Sequence, residues 1–191
     1  MRKLIVTLAS LITALTLCLP AAAFANEAKG DMAVGAGLEL ALPMGNFGDY
    51  AGTGFGLTGQ FEYVYSPNIS FIGNLGYIKW GSKDFGQYKW SNSAVPIKGG
   101  AKYYLDPAKK GLYGAGELGF YFFSSKYEYT QNNVTFRVSD SSTDLSLALI
   151  GGYEMPAGES WIVDLSARIE IISDHSFLGL RVGIKKPIGK K

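Results

Sequence analysis

The sequence predicts an all-β fold, an eight-stranded antiparallel up-and-down transmembrane β-barrel. Three observations carry that prediction. Apolar residues alternate with small or polar ones over eight separate stretches, a period of two that puts one kind on each face of a strand. Within those stretches the charges fall on the non-apolar parity, with Lys79, near a strand end, as the exception. The connections alternate short and long, except the last at 173–176, as where tight turns lie on one side of a membrane and larger loops on the other.

Residues 1–25 precede the first strand and read as a cleaved signal peptide. Arg2 and Lys3 start it, an apolar core follows from Leu4 to Leu19, and Ala23-Phe24-Ala25 forms the cleavage pattern. The core is shorter than the roughly 20 residues a spanning helix needs. Cys18, the single cysteine, lies inside it, and Leu17 is not the small residue that a lipid-attachment box wants there. The domain that remains, 26–191, has no cysteine and so no disulfide or thiol chemistry. Without Arg2 and Lys3 it carries 16 basic and 16 acidic residues. That balance points to no nucleic acid and no polybasic membrane patch.

The eight stretches follow in order. Strand one, about 32–42, has Val34, Leu38, Leu40 and Leu42 on one parity and Glu39 on the other. A loop at 43–52 leads to a hairpin. Its first strand shows Phe55, Leu57, Phe61, Tyr63 and Tyr65 against Glu62, Ser66-Pro67-Asn68 turns it, and its second shows Ile69, Phe71, Leu75 and Tyr77. The segment 81–93 is expected to be a polar loop. Strand four, about 95–105, sets Ile97, Ala101, Tyr103 and Leu105 against Lys98 and Lys102. After a turn at 106–111, strand five, 112–123, sets Leu118, Phe120 and Phe122 against Tyr113, Glu117 and Tyr121. The longest connection, 124–142, still alternates at 126–130 and 134–139, which reads as strand extensions beyond the membrane. Strand six, 144–153, sets Leu145, Leu147, Leu149 and Tyr153 against Asp144 and Ser146. A turn at 156–160 precedes strand seven, where Trp161, Val163, Leu165, Ala167, Ile169 and Ile171 oppose Asp164, Ser166, Arg168 and Glu170. A connection at 173–176 leads to strand eight, with Leu178, Leu180, Val182 and Ile184 opposite Gly179, Arg181, Gly183 and Lys185.

Periodicity leaves open which face is inside, because a soluble ligand-binding barrel turns its apolar face inward and a membrane barrel turns it outward. The polar face is mostly Gly, Ala and Ser between its charges, which suits a narrow filled lumen better than a hydrated surface. Aromatics on the apolar parity, Tyr63, Tyr65, Tyr103, Tyr153 and Trp161, gather near the short turns, where an interfacial girdle belongs. The membrane reading follows.

The signal peptide, the run LPMGNFGDYAGTGFG, the YSPN turn, VPIKGGAKYYLDP and LYGAGELGF carry a resemblance. Together they are similar to the small outer-membrane β-barrel family, the outer membrane protein beta-barrel domain. The resemblance implies a bacterial outer membrane and insertion by the barrel-assembly machinery. Many members end on an aromatic, whereas this chain runs on as IKKPIGKK. Either a short basic tail, 185–191, follows strand eight, or the assembly signal is internal or different.

Candidate site residues come from the polar parity. Glu39, Glu62, Glu117, Asp144, Asp164 and Glu170 oppose Lys98, Lys102, Arg168, Arg181 and Lys185 there, six acids to five bases. Buried charges have to be paired, so these read as a structural lumen network, with a selective pore as the other reading. Two GxGxxG runs, at Gly54, Gly56 and Gly59 and at Gly114, Gly116 and Gly119, sit inside strands rather than before a helix, so they are not dinucleotide fingerprints. His175, the single histidine, lies between Asp174 and Ser176, but neighbours on an extended chain point apart. No catalytic residue, metal ligand or cofactor is expected. Phe47, Tyr50, Phe85, Tyr88, Trp90 and Tyr127 read equally as ligand grips or interface anchors. The function expected is envelope support, with contacts to an extracellular ligand or surface through loops 43–52, 81–93 and 124–142. The protein is expected to stand as a monomer in the lipid bilayer of the outer membrane. The alternative is a narrow channel or lateral path for small or hydrophobic solutes, and an enzyme acting on lipid A ranks third.

Overall fold

A computed structural model of the chain describes residues 30–82, 84–85, 88–106, 111–131 and 134–188, with the backbone alone described at 84–85, 88–90, 128–131 and 134–137. The expected leader, 1–25, lies outside the described residues.

Eight long strands form one antiparallel sheet: β1 Met32–Pro43, β2 Ala51–Val64, β3 Ile69–Ser82, β4 Tyr88–Tyr104, β5 Gly111–Gln131, β6 Val134–Ala157, β7 Trp161–Ile172 and β8 Phe177–Pro187. Each pairs with the next, and β1 pairs with β8 from Ala33↔Pro187 to Pro43↔Phe177. The sheet therefore closes into an up-and-down barrel. The β3–β4 ladder skips the rungs beside Pro96, which has no N–H to give it. A single helical turn, α1 Phe47–Tyr50, lies between β1 and β2 and starts after Gly45, whose φ of 57° favours a residue without Cβ. A two-residue strand fragment, Asp84–Phe85, folds back on Lys89 and Tyr88.

The parity assignment fixes which side chains meet lipid. Leu38, Phe55, Leu57, Leu75, Leu118, Leu145, Leu149 and Val182 lie on the outer wall, more than half exposed. An outer wall of Leu, Phe, Val and Ile has its solvent in a hydrocarbon core, and the closed ladder leaves no edge across it. On β5 this band runs from Leu112 to Phe122, close to the 9–11 residues a tilted strand needs to span.

Three boundaries differ from the sequence reading, one of them the end of β6, at Ala157 rather than Tyr153. The expected loop 81–93 is mostly strand, because β3 continues to Ser82 and β4 begins at Tyr88. Polar residues stand on both parities from Ser91 to Ser93, so no apolar parity marks it, and pairing with 124–129 of β5 supplies the ladder. The supposed basic tail begins later than 185, since β8 runs to Pro187 and Lys185 points inward. At 124–142, β5 and β6 continue as a hairpin that climbs past its neighbours.

Candidate functional site

The interior is stacked in layers. Nearest the short turns, Lys102 Nζ lies 2.7 Å from Glu154 Oε1 and 3.3 Å from Glu62 Oε2. Lys185 Nζ spans the same two acids at 2.9 and 2.7 Å. Tyr104 donates its hydroxyl to Glu62 at 2.7 Å, and Lys102 Nζ sits 4.3 Å above the Tyr113 ring. Two acids answer two bases, so this layer is neutral.

The next layer is a single pair. Arg181 Nη1 donates to Asp164 Oδ2 at 2.6 Å, its Nε donates to Thr58 Oγ1 at 2.9 Å, and the Tyr113 hydroxyl donates to Asp164 Oδ1 at 2.7 Å. Glycines make the room. A Cβ on Gly37 or Gly183 would meet the Arg181 guanidinium, at 2.7 and 2.9 Å. One glycine on the neighbouring β1 and one two residues along on β8 itself thus give a large cation its place in a narrow lumen.

Above it runs an alternating chain. Asn74 donates to Glu117, Lys98 Nζ lies 2.8 Å from both Glu117 and Glu170, and Arg168 reaches both Glu170 and Glu39. A cavity of about 20 Å³ beside Asn74, Glu117, Asp164, Arg168 and Arg181 separates this chain from the pair below. Polar walls and that volume suit about one water.

At the outer end the chemistry changes. Trp80, Tyr121, Phe123 and Phe177 fill the lumen together with Ile78, Ile172, Ala41, Ala51 and Ala94. Trp80 and Phe123 stack at 5.9 Å, and Phe177 meets Trp80 edge-on at 5.6 Å. Phe47 of α1 reaches into the mouth from above, edge-on to Trp80 at 5.3 Å and to His175 at 5.1 Å. His175 stacks on Phe123 at 4.2 Å, and its Nδ1 lies 3.8 Å from Asp144 Oδ2. Burial among these rings holds the imidazole below its ordinary pKa, against the opposing pull of Asp144 and Asp174. Burial, then the Asp174 charge, pushes the Tyr50 phenol up. Ser176 Oγ is engaged with both the N–H and the carbonyl of Ile172, so it makes no dyad with His175. An open cleft of about 530 Å³ lies outside Phe47, between α1 and residues 173–176.

Of the sequence candidates, Glu39, Glu62, Lys98, Lys102, Glu117, Asp164, Arg168, Glu170 and Arg181 all lie in the buried interior. Asp144 does not. It sits at the outer rim, a quarter exposed, bonded to Ser142 and facing His175. Strand parity gives the face of a residue but not its height, and β6 rises past the lumen before reaching Asp144. Glu154 takes the sixth acid's place. Ending strand six at Tyr153 missed it, although it falls on the same parity as Asp144 and Ser146. Tyr104 was missed likewise. Tyr65, Tyr103, Tyr153 and Trp161 stand on the outer wall near the short turns, more than a third exposed, with Tyr63 half-buried beside them. Phe47 is neither grip nor surface anchor, because it is buried in the mouth. The side chains of Phe85, Tyr88 and Trp90 lie outside the described residues. Both GxGxxG runs lie within β2 and β5, with no helix following.

A closed barrel with a lipid-facing apolar wall and an interior filled by its own side chains defines a small transmembrane β-barrel protein. Over residues 11–184 the chain matches the family model for the outer membrane protein beta-barrel domain, and it belongs to that family. It is a protein of the outer membrane. Ail, the attachment invasion locus protein of Yersinia pestis, has a similar structure, with a TM-score of 0.61 at 14% identity over 84% of this chain and 100% of that one. OprG from Pseudomonas aeruginosa gives 0.57 at 12% over 85% and 97%, and Neisserial surface protein A gives 0.53 at 12% over 81% and 96%. At these identities the likeness is one of fold. No curated protein sequence matches the chain significantly.

Proposed function

We propose that the protein is a non-conducting outer-membrane barrel, a monomer that supports the envelope and makes contacts through its outer loops. The observation that carries this reading is the filled lumen. Three ion-pair layers lie beneath an aromatic plug, and Glu62, Lys102, Glu117, Tyr104, Trp80 and Phe177 are each at most 2% exposed. Eight strands leave an interior just wide enough for side chains, and here the side chains are large. The interior charges hold one another and leave no free row of one sign to select an ion. The barrel-assembly machinery inserts it, as it does other proteins of this architecture.

Loop contact is supported by the height of the β5–β6 hairpin, which rises above the lipid-facing band. Ail has been solved with the heparin analogue sucrose octasulfate. A polyanion is a poor fit to this chain, whose loops 43–52, 81–93 and 124–142 carry four acids (Asp49, Asp84, Glu128, Asp140) and four bases (Lys83, Lys89, Lys126, Arg137).

Planar-bilayer recording of the purified protein separates this reading from a channel. The account expects insertion, verified by heat-modifiable gel mobility, with no steady current. Reproducible open levels in inserted protein would make it a pore.

A further inference from the structure

The cleft at the outer mouth lies between two segments that are tied together at both ends. The Met44 N–H donates to the Ser176 carbonyl at 2.9 Å, and the Tyr50 hydroxyl donates to the Asp174 backbone carbonyl at 3.3 Å. Phe47 closes the floor, 1% exposed and packed edge-on against Trp80 and His175. The walls are therefore set before anything enters, which spares a ligand the cost of ordering them. The enclosed volume, about 530 Å³, lies within the roughly 300–1,000 Å³ of small-molecule sites.

Two kinds of surface face this space. Met44, Phe47 and Tyr50 give it an apolar and aromatic side, and Asn46, Ser173 and Asp174 give it a polar one. The charge there has one sign. Neither 43–54 nor 172–177 contains a lysine or arginine, whereas Asp49 and Asp174 lie within them and Asp144 lies beside His175. Asp174 is exposed, and its carboxylate makes no salt bridge among the described residues.

That combination narrows the occupant. An anion meets like charge, and a hydrocarbon covers a carboxylate without giving it a partner. A bare metal ion lacks its ligands, because no three acids, histidines or cysteines converge to hold one among the described residues.

We propose that this cleft binds a small organic cation, an ammonium or guanidinium group carried on an aromatic or apolar body. The proposal rests on the loop-contact reading above and gives its ligand a chemistry. The charged nitrogen donates to the Asp174 carboxylate, and the body lies against Met44, Phe47 and the Tyr50 ring.

The test is methyl NMR of the protein in phosphatidylcholine nanodiscs, with its methionine methyl groups isotopically labelled. Met44 lines the cleft, while Met32 and Met155 lie toward the short-turn end, so the protein carries its own controls. The probe is phenethylammonium, against hydrocinnamate, which joins the same ring to a carboxylate. Phenethylammonium is expected to shift Met44 saturably and to leave Met32 and Met155 unmoved, and hydrocinnamate to shift none. Asp174→Asn keeps the backbone carbonyl that Tyr50 uses and should weaken binding about fivefold, with heat-modifiable mobility confirming that the variant is folded. No saturable shift, an equal response to both compounds, or unchanged affinity in Asp174→Asn would each overturn the proposal. So would movement of all three methyl groups, which reports partition into the lipid. An unresponsive Met44 with a silent planar bilayer removes the cleft proposal and leaves the closed-barrel reading standing. Steady bilayer current removes that reading instead.

Discussion

Below Glu39 the lumen is packed with carboxylates and cations that answer one another, and above it with rings packed on one another. Both halves exclude solvent, but they respond differently to change. A buried ion needs its counter-ion, so the lower half is held by matching in pairs. The aromatic end is held by contact area and shape, so each residue there contributes nearly on its own. The lower half is therefore intolerant of single changes and tolerant of matched ones.

The largest effect that would break this comparison is at Lys102. Lys102→Met leaves Glu62 and Glu154 sharing Lys185, and should destabilise the folded barrel by roughly 3–5 kcal/mol. Adding Glu154→Gln restores one acid to one base, and the double variant should be more stable than Lys102→Met alone. Urea unfolding in lipid, followed by gel mobility, measures both. At the outer end, Ile78→Val and Ile172→Val should cost about 0.5–1.5 kcal/mol each, and the pair should show no rescue. Rescue at the outer end, or none in the lower layer, would erase the distinction between the halves.

A smaller effect belongs to the mouth. His175 is held below its ordinary pKa of 6.5 by burial, so the unfolded chain binds the proton more readily than the folded one. The contribution of His175 is therefore fully present above pH 6.5 and is lost as the pH falls through that value toward the folded one. Because the side chain is partly exposed, the result is local. Hydrogen exchange at 44–50 and 173–176 should quicken on acidification, and His175→Phe should abolish that pH dependence while leaving the strands protected.

Much of the barrel was legible because lipid and lumen impose opposite demands on alternate residues. That is why Glu39, Glu62, Lys98 and Arg168 declared their facing, while Leu38 and Leu118 declared theirs. The same signal vanished where polar residues stand on both parities. Residues 88–93 therefore read as loop, and Asp144 was taken for a lumen charge although it stands above the lumen. Glu154 was lost to a strand end set a residue or two short by nearby Pro156. The aromatic end was the least legible part. Ile78 and Trp80 lie on the polar parity and break its pattern, and Phe47 belongs to a loop with no period, buried only because the barrel mouth is there to receive it.

The central claim is a lumen sealed from solutes, and a single thiol inside it tests that directly. Cys18 lies in the expected leader, so Ser146→Cys places the one thiol of the exported chain on the inner wall, where Ser146 is 1% exposed. The account predicts that a small charged thiol reagent leaves the folded protein unlabelled and labels it fully once it is heated open in detergent. Rapid labelling of the folded barrel at neutral pH would mean that water and solutes pass where Trp80 and the ion-pair layers are said to stand.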